Sequence, residues 1–263
     1  MAGQMTYDAE REQAIRTAVR DRYARAAVAG TGCCGDASSG AGDAAVETVG
    51  ASCCGSAPLV FMSGRPIPSD IADASLGCGA PIDAAAIRPG ETVVDLGSGA
   101  GLDVFQAADR VGPLGRAIGV DMTPEMIAKA RSNATRLGVA NAEFRLGEIE
   151  HLPVPDASAD VIISNCVINL LPDKRAAFDE AFRVLRPGGR LVVSDIVSAG
   201  PLPDELKTPE RWTACLGGAI PQEEYIGAVA AAGFADVELV SKRDYEAGRL
   251  FSATVRAVKP PTS

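Results

Sequence analysis

The stretch TVVDLGSGAG, from Thr92 to Gly101, decides the fold class. Its first half is a short apolar run, the pattern of a strand buried on both faces of a parallel sheet. Its second half places Gly97, Gly99 and Gly101 at alternate positions. Glycines there permit a tight turn and a close approach of backbone to a ligand. The helix expected next, to about Val111, adds unpaired N–H groups and the positive end of its dipole. Outward from this point the pattern repeats. RAIGVD (116–121) reads as a second strand. Thr123-Pro124-Glu125 opens a helix with a capping residue and a proline in its first turn, and the helix runs to Leu137 before Gly138. AEFRLG (142–147), ADVIISN (159–165) and RLVVSDIV (190–197) supply three more strands. A helix over 174–185 precedes the last of these, closed by Arg186-Pro187-Gly188-Gly189. Repeated strand–helix units predict a doubly wound, mostly parallel α/β sheet with right-handed crossovers.

The flanks differ in character. Residues 7–28 predict a helix with Ile15, Val19 and Tyr23 on one face. Residues 29–57 are Gly, Ala and Ser with two Cys-Cys-Gly triplets, too poor in large apolar side chains to order themselves, and read as a flexible loop. Residues 201–221 carry Pro201, Pro203, Pro209 and Pro221 and the single tryptophan, Trp212, and read as a cap over the sheet. A helix (222–232) and strands near 237–241 and 251–259 finish the chain. Three units are expected: 1–74, the N-terminal helix and Cys-Cys-Gly loop; 75–200, the sheet domain; and 201–263, the cap and last strands.

Composition narrows the partners. The 263 residues are 47% hydrophobic, enough for a full core, and carry a net charge of −9. A surplus of acid argues against a nucleic-acid backbone or an anionic membrane as partner. No apolar run approaches the roughly 20 residues of a membrane span. The N-terminal stretch is polar from its first residues, without a secretory apolar region, so a cytoplasmic protein is expected.

Potential ligand-binding residues gather where open α/β sheets bind ligands, at the C-terminal ends of strands. They are Asp95 and the glycine loop after the first strand, Asp121 at the end of the second, and Gly147-Glu148-Ile149-Glu150 after the third. The G-x-G-x-G spacing departs from the dinucleotide G-x-G-x-x-G pattern. The DLGSGAG loop, the GVD strand end, the GEIEHLP loop and the LRPGG turn, in this order over about 75–200, resemble the class I S-adenosylmethionine methyltransferases. The resemblance implies a Rossmann-like fold. It implies that Asp95, Gly97, Gly99 and Gly101 pass the amino-acid part of S-adenosylmethionine. It further implies that Asp121, with Met122 beside it, holds the ribose, that Glu148 and Ile149 meet the adenine, and that Asn165 joins this set.

The seven cysteines are Cys33, Cys34, Cys53, Cys54, Cys78, Cys166 and Cys215. In a chain with no export signal they suggest metal, metalloid or redox work, against the alternative that several are small buried hydrophobes. Cys166 follows the fourth strand, Cys78 precedes the sheet and Cys215 lies in the cap, so three thiols can converge above the cofactor crevice. Thiolates prefer soft centres. Trivalent arsenic is soft, takes three ligands in a pyramid, and keeps a lone pair able to attack a methyl group without proton removal. A general base is then unnecessary, and the single histidine, His151, reads as a polar loop residue. ASLGCG (74–79), SNCVINL (164–170) and WTACLGGA (212–219), with the N-terminal Cys-Cys-Gly, resemble the arsenite methyltransferases over nearly the whole chain. That resemblance implies As(III) held by Cys78, Cys166 and Cys215, with arsenite and methylarsenite as substrates. It also implies thiol–disulfide exchange at an N-terminal cysteine, assigned to Cys34 although Cys33, Cys53 and Cys54 also qualify, and glutathione or thioredoxin as reductant. Two other readings stand beside it: a methyltransferase for a small organic acceptor, and a non-catalytic metalloid-binding module.

Overall fold

A computed structural model describes residues 2–29, 61–62, 64–72, 77 and 79–261, with the backbone alone at 2–9, 11, 29, 61 and 65. Of the residues singled out by sequence, Cys33, Cys34, Cys53, Cys54 and Cys78, and the 30–57 part of the expected flexible loop, lie outside the described set.

The N-terminal helix α1 spans Ala2–Ala29. Two short strands, β1 (Phe61–Met62) and β2 (Arg65–Pro66), pair antiparallel, and short helices α2 (Ser69–Ala72) and α3 (Pro81–Ala84) lead into the sheet. The alternating region follows: β3 (Thr92–Leu96), α4 (Leu102–Val111), β4 (Arg116–Asp121), α5 (Pro124–Leu137), β5 (Ala142–Leu146) and β6 (Ala159–Asn165). After a 3-10 turn (Ile168–Leu170) come α6 (Lys174–Val184) and β7 (Leu185–Ser198). The cap holds a second 3-10 turn (Asp204–Leu206) and α7 (Pro209–Thr213). Helix α8 (Gln222–Ala231), β8 (Ala235–Glu246) and β9 (Leu250–Val258) close the described chain.

The sheet has seven strands in the order β5-β4-β3-β6-β7-β9-β8, all parallel except β9, which runs antiparallel to both its neighbours. The doubly wound, mostly parallel arrangement read from the sequence is the arrangement observed. Two boundaries differ. Strand pairing resumes at Leu185, before the expected turn, because Ala159 of β6 pairs with Leu185; the ladder then shifts register until Val161 meets Arg190. Strand β8 is longer than expected because β9 pairs with it from Ala235 to Glu246, accommodated by three register shifts.

Period-two alternation sends neighbouring residues to opposite faces. Val93, Val161, Ile163 and Val192 pack with Val104, Phe105 and Ala108 of α4 and Ile127 of α5. Val94, Leu96, Ile162, Leu191 and Val193 pack with Phe178 and Val184 of α6 and with Tyr225 and Val229 of α8. Helix α6 is fixed at its start by Asp173, whose carboxylate accepts from the backbone N–H groups of Arg175 and Ala176. On the second face Phe178 meets Tyr225 edge-on, with ring centroids 5.5 Å apart.

No helix of the described residues is long and apolar enough to cross a membrane. Phe178 is 1% exposed, so Phe178→Ala leaves a cavity between α6 and α8. A loss of about 3–5 kcal/mol in urea unfolding is expected, and a loss below about 1 kcal/mol would contradict this packing.

Candidate active site

The C-terminal ends of β3, β4 and β6 open into one cleft. After β3 the chain turns through Gly99 (φ +50°) and Gly101 (φ +99°), both in the left-handed region. Gly101 caps α4, and a Cβ there would come within 2.8 Å of Phe144 and 2.9 Å of Phe105. Gly99 differs: a Cβ there meets no atom within 4 Å, because it would project into the cleft.

Asp121, last residue of β4, holds this turn. One carboxylate oxygen accepts from Gly99 N at 3.0 Å and the other from Thr123 N at 2.8 Å. Burial raises the Asp121 pKa above the usual carboxylate value, and these two N–H groups oppose the rise. Asp95 is also buried, and burial, followed by the charges of Asp103 and Asp121, holds its carboxyl well above the ordinary range. Asp103, in the first turn of α4, is raised by burial and lowered by its hydrogen bond from Asn165, at 3.1 Å. Three carboxylates around one cleft, Asp95 and Asp121 buried and Asp103 half-buried, favour a cationic guest. S-adenosylmethionine carries an ammonium and a sulfonium. The buried Ser98 Oγ, without a hydrogen-bond partner, and the open space above Gly99 leave both a polar contact and room for it.

The sites expected from sequence fall as follows. Asp95, Gly97, Gly99, Asp121, Met122, Ile149, Asn165 and Cys166 line the cleft together. Gly101 is not in the lining, although its neighbours Ala100 and Leu102 are. Glu148 is not in its lining: its side chain is 58% exposed, 3.9 Å from Arg16. Glu150, named in the sequence as part of this loop but not assigned to the adenine, is its buried acid and pairs with Arg16 at 2.7 Å. His151 is exposed and also lies outside the lining.

Helix α1 closes the cleft, with Arg16, Val19 and Tyr23 in its wall. The Ile15, Val19 and Tyr23 face visible in the sequence packs against the cap; what it covers was not legible, since periodicity reveals a buried face and not its partner. Arg22 reaches Thr213 of α7 at 3.1 Å, which ties α1 to the cap.

On the rim, Cys166 leaves β6 with φ +60° and Cys215 follows α7 with φ +65°, both left-handed. The Cys215 thiol donates to the Cys166 carbonyl at 2.8 Å, and Tyr23 Oη lies 3.8 Å from the Cys215 sulfur. Strained backbone of this kind gathers at functional sites. Cys166 is disulfide-bonded. Asn165, beside it, donates to Gly79 O at 3.0 Å and accepts from Gly79 N at 3.1 Å, so the segment next to position 78 abuts the same rim.

Residues 87–240 match the model of a methyltransferase domain family. An arsenite methyltransferase of Halobacterium salinarum is 47% identical, over 97% of this chain and 69% of its own length. An arsenite methyltransferase of Aquipseudomonas alcaligenes is 41% identical, over 70% of this chain and 58% of its own. Among solved structures, an arsenic(III) S-adenosylmethionine methyltransferase from Chlamydomonas reinhardtii superposes with a TM-score of 0.63 at 36% identity. That match covers 74% of this chain and 71% of the other.

Gly99 has a left-handed φ of +50° with open space around its Cβ position, so Gly99→Val is expected to cost about 1–3 kcal/mol of stability through backbone strain and to weaken S-adenosylmethionine binding by about tenfold or more. Calorimetric titration beside thermal unfolding checks this; unchanged affinity would contradict the placement of the cofactor over this turn.

Proposed function

The chain belongs to the arsenite methyltransferase family, and we propose that Cys78, Cys166 and Cys215 hold trivalent arsenic against the methyl group of S-adenosylmethionine, making methylated arsenicals. The protein is an S-adenosylmethionine-dependent enzyme. The observation carrying the thiol assignment is the Cys215 thiol on the Cys166 carbonyl, 2.8 Å apart, with Cys166 in the wall of the cofactor cleft.

The bound cofactor supplies an electrophilic methyl on a sulfonium. The chain's own work is positioning and exclusion of water. Asp95, Asp103 and Asp121 supply negative charge around the cationic guest, and Met122, Ile149 and Val167 give the cleft apolar surface. Asp121 suits the ribose, although its carboxylate also braces Gly99 and Thr123. For the adenine, the buried Ile149 and Glu150 are better placed than exposed Glu148. Arsenite exchanges its hydroxides for thiolates, each thiol proton leaving with a hydroxide as water. Cys78, Cys166 and Cys215 would hold the arsenic lone pair toward the sulfonium methyl, so that an As–C bond could form as the cofactor's sulfur took back the electron pair of its C–S bond. No proton moves in that step, consistent with a cleft wall without histidine. Arsenic loses two electrons in the transfer.

A dithiol returns those electrons as it becomes a disulfide. We assign the exchange to Cys34 or its neighbours in the triplets, Cys33, Cys53 and Cys54, with glutathione or thioredoxin as the final reductant. The division into a helix-and-triplet region (1–74), a cofactor domain (75–200) and a cap (201–263) follows the same division of labour. A cytoplasmic setting, which keeps thiols reduced, suits the site.

Cys166→Ser and Cys215→Ser are expected to abolish methylation of both arsenite and methylarsenite, because serine offers a harder oxygen of much higher pKa. Cys78→Ser is expected to abolish the first step and spare the second, since a monomethyl arsenical needs two thiolates. All three should bind S-adenosylmethionine as the parent does. Incubation with arsenite, thiol and labelled cofactor, followed by separation of arsenic species, reads these outcomes. Because Cys166 is disulfide-bonded in the structure, omitting thiol should abolish turnover. A Cys166→Ser protein with the parent rate would remove the assignment and favour a small organic acceptor.

A further inference from the structure

Cys166 and Cys215 come from segments 49 residues apart, one at the end of a sheet strand and one in the cap. Two thiolates sharing one arsenic need a fixed separation and direction, and a thiol–carbonyl hydrogen bond is too weak to impose them. The stronger connections run through the 3-10 turn that begins two residues after Cys166. Asn169, at its centre, is fully buried. Its Nδ2 donates to the Ile196 carbonyl at 2.5 Å and to the Cys215 carbonyl at 3.3 Å, one prong on the sheet and one on the cysteine itself. The next residue, Leu170, accepts the indole N–H of Trp212 at 3.1 Å. Trp212 O in turn accepts from Cys215 N at 2.9 Å. Gly218 lies so close to the Asn169 carbonyl that a Cβ at 218 would overlap it. The cap thus meets the sheet through a bracket that grips the peptide groups of Cys215.

We propose that Asn169 and Trp212 are positioning residues that set the Cys215 thiol relative to Cys166 and so aim the arsenic lone pair. The proposal rests on the reading of these two cysteines as arsenic ligands. Neither bracket side chain touches the arsenic; each acts through the backbone of the cap. A misplacement of about 1 Å at a reacting centre costs on the order of a hundredfold in rate. Loss of the bracket should therefore damage arsenic chemistry far beyond its effect on folding.

Asn141 is a matched control. Its Nδ2 also donates to two backbone carbonyls, Ala108 in the last turn of α4 and Gly112 just past its end, both at 2.9 Å. Asn141→Ala and Asn169→Ala therefore remove similar bonds, one remote from the thiols and one beside them.

The test uses the reduced full-length protein carrying Cys78→Ser, the parent for the variants below, so that Cys166 and Cys215 are the two thiols left in the proposed site, with two probes that require paired thiols: phenylarsine oxide, which takes two thiolates, and dibromobimane, which cross-links two. In the parent protein both should capture Cys166 with Cys215, as peptide mass mapping would show. In Asn169→Ala, phenylarsine oxide binding and cross-linking should each fall by about tenfold or more. Alkylation of each thiol by a single-ended reagent and binding of S-adenosylmethionine should persist. Asn141→Ala should keep parental capture despite lowered stability. Trp212→Phe, which keeps a ring and removes the indole N–H, should shift capture in the same direction and is decisive if Asn169→Ala does not fold. Failure of the parent protein to link the two cysteines would overturn the thiol-pair reading itself. Parental capture in Asn169→Ala, or in a folded Trp212→Phe when Asn169→Ala cannot be read, or a loss no greater than in Asn141→Ala, would overturn the bracket alone.

Discussion

The amide of Cys166 donates to the Ser194 carbonyl at 2.7 Å, and its own carbonyl accepts the Cys215 thiol at 2.8 Å. That peptide is the hinge on which the site turns. The first bond keeps β6 paired with β7 up to the point where the chain leaves the sheet. The second meets the cap. Parallel pairing of β3, β4 and β6 brings their C-terminal ends to one edge, so the exit of β6 lies beside the glycine turn after β3 and the acid at the end of β4. Cys166 therefore lines the same cleft as Gly99 and Asp121. The left-handed backbone at both cysteines is the local cost, offset by the buried packing around them of Leu170, Ile196, Leu202 and Leu250.

Buried and half-buried ionisable groups fall into two sets, one lining the cleft and one outside its lining. Asp95, Asp103 and Asp121 crowd its β3–β4 side, where burial keeps their carboxyls above their usual pKa values. A cationic guest would relieve that crowding. Behind the thiols lies a second buried set. Asp195 accepts from Tyr225 Oη at 3.0 Å and interacts with the buried Lys174, with burial raising the acid and lowering the ammonium. Lys174 also stands 5.9 Å from the Trp212 ring, so the start of α6 supports the cap from beneath.

The sheet was legible because its signals are local. Strand β4 falls on 116–121 as read, and α5 starts after Thr123 and stops at Gly138, where proline, a capping residue and a left-handed glycine each restrict the backbone. The cleft was legible as far as strand ends are, since topology brings Asp95, Asp121 and Asn165 to one edge. Other features depend on contacts that no local pattern announces. Asp103 sits in an ordinary helical first turn, and only the fold brings it beside Asn165. Glu148 and Glu150 are equivalent by composition, yet the direction of the loop exposes one and buries the other against Arg16. Asn169 is a lone amide in an apolar run, and its two carbonyl partners are 27 and 46 residues away.

Arsenic K-edge X-ray absorption on the reduced protein with one equivalent of arsenite measures the coordination shell of the substrate directly. Three sulfur neighbours at a single distance, with no oxygen left in the shell, are expected for the parent protein, and two sulfurs with one oxygen for Cys78→Ser. A shell of oxygen alone, or three sulfurs that persist in Cys166→Ser, would contradict the account.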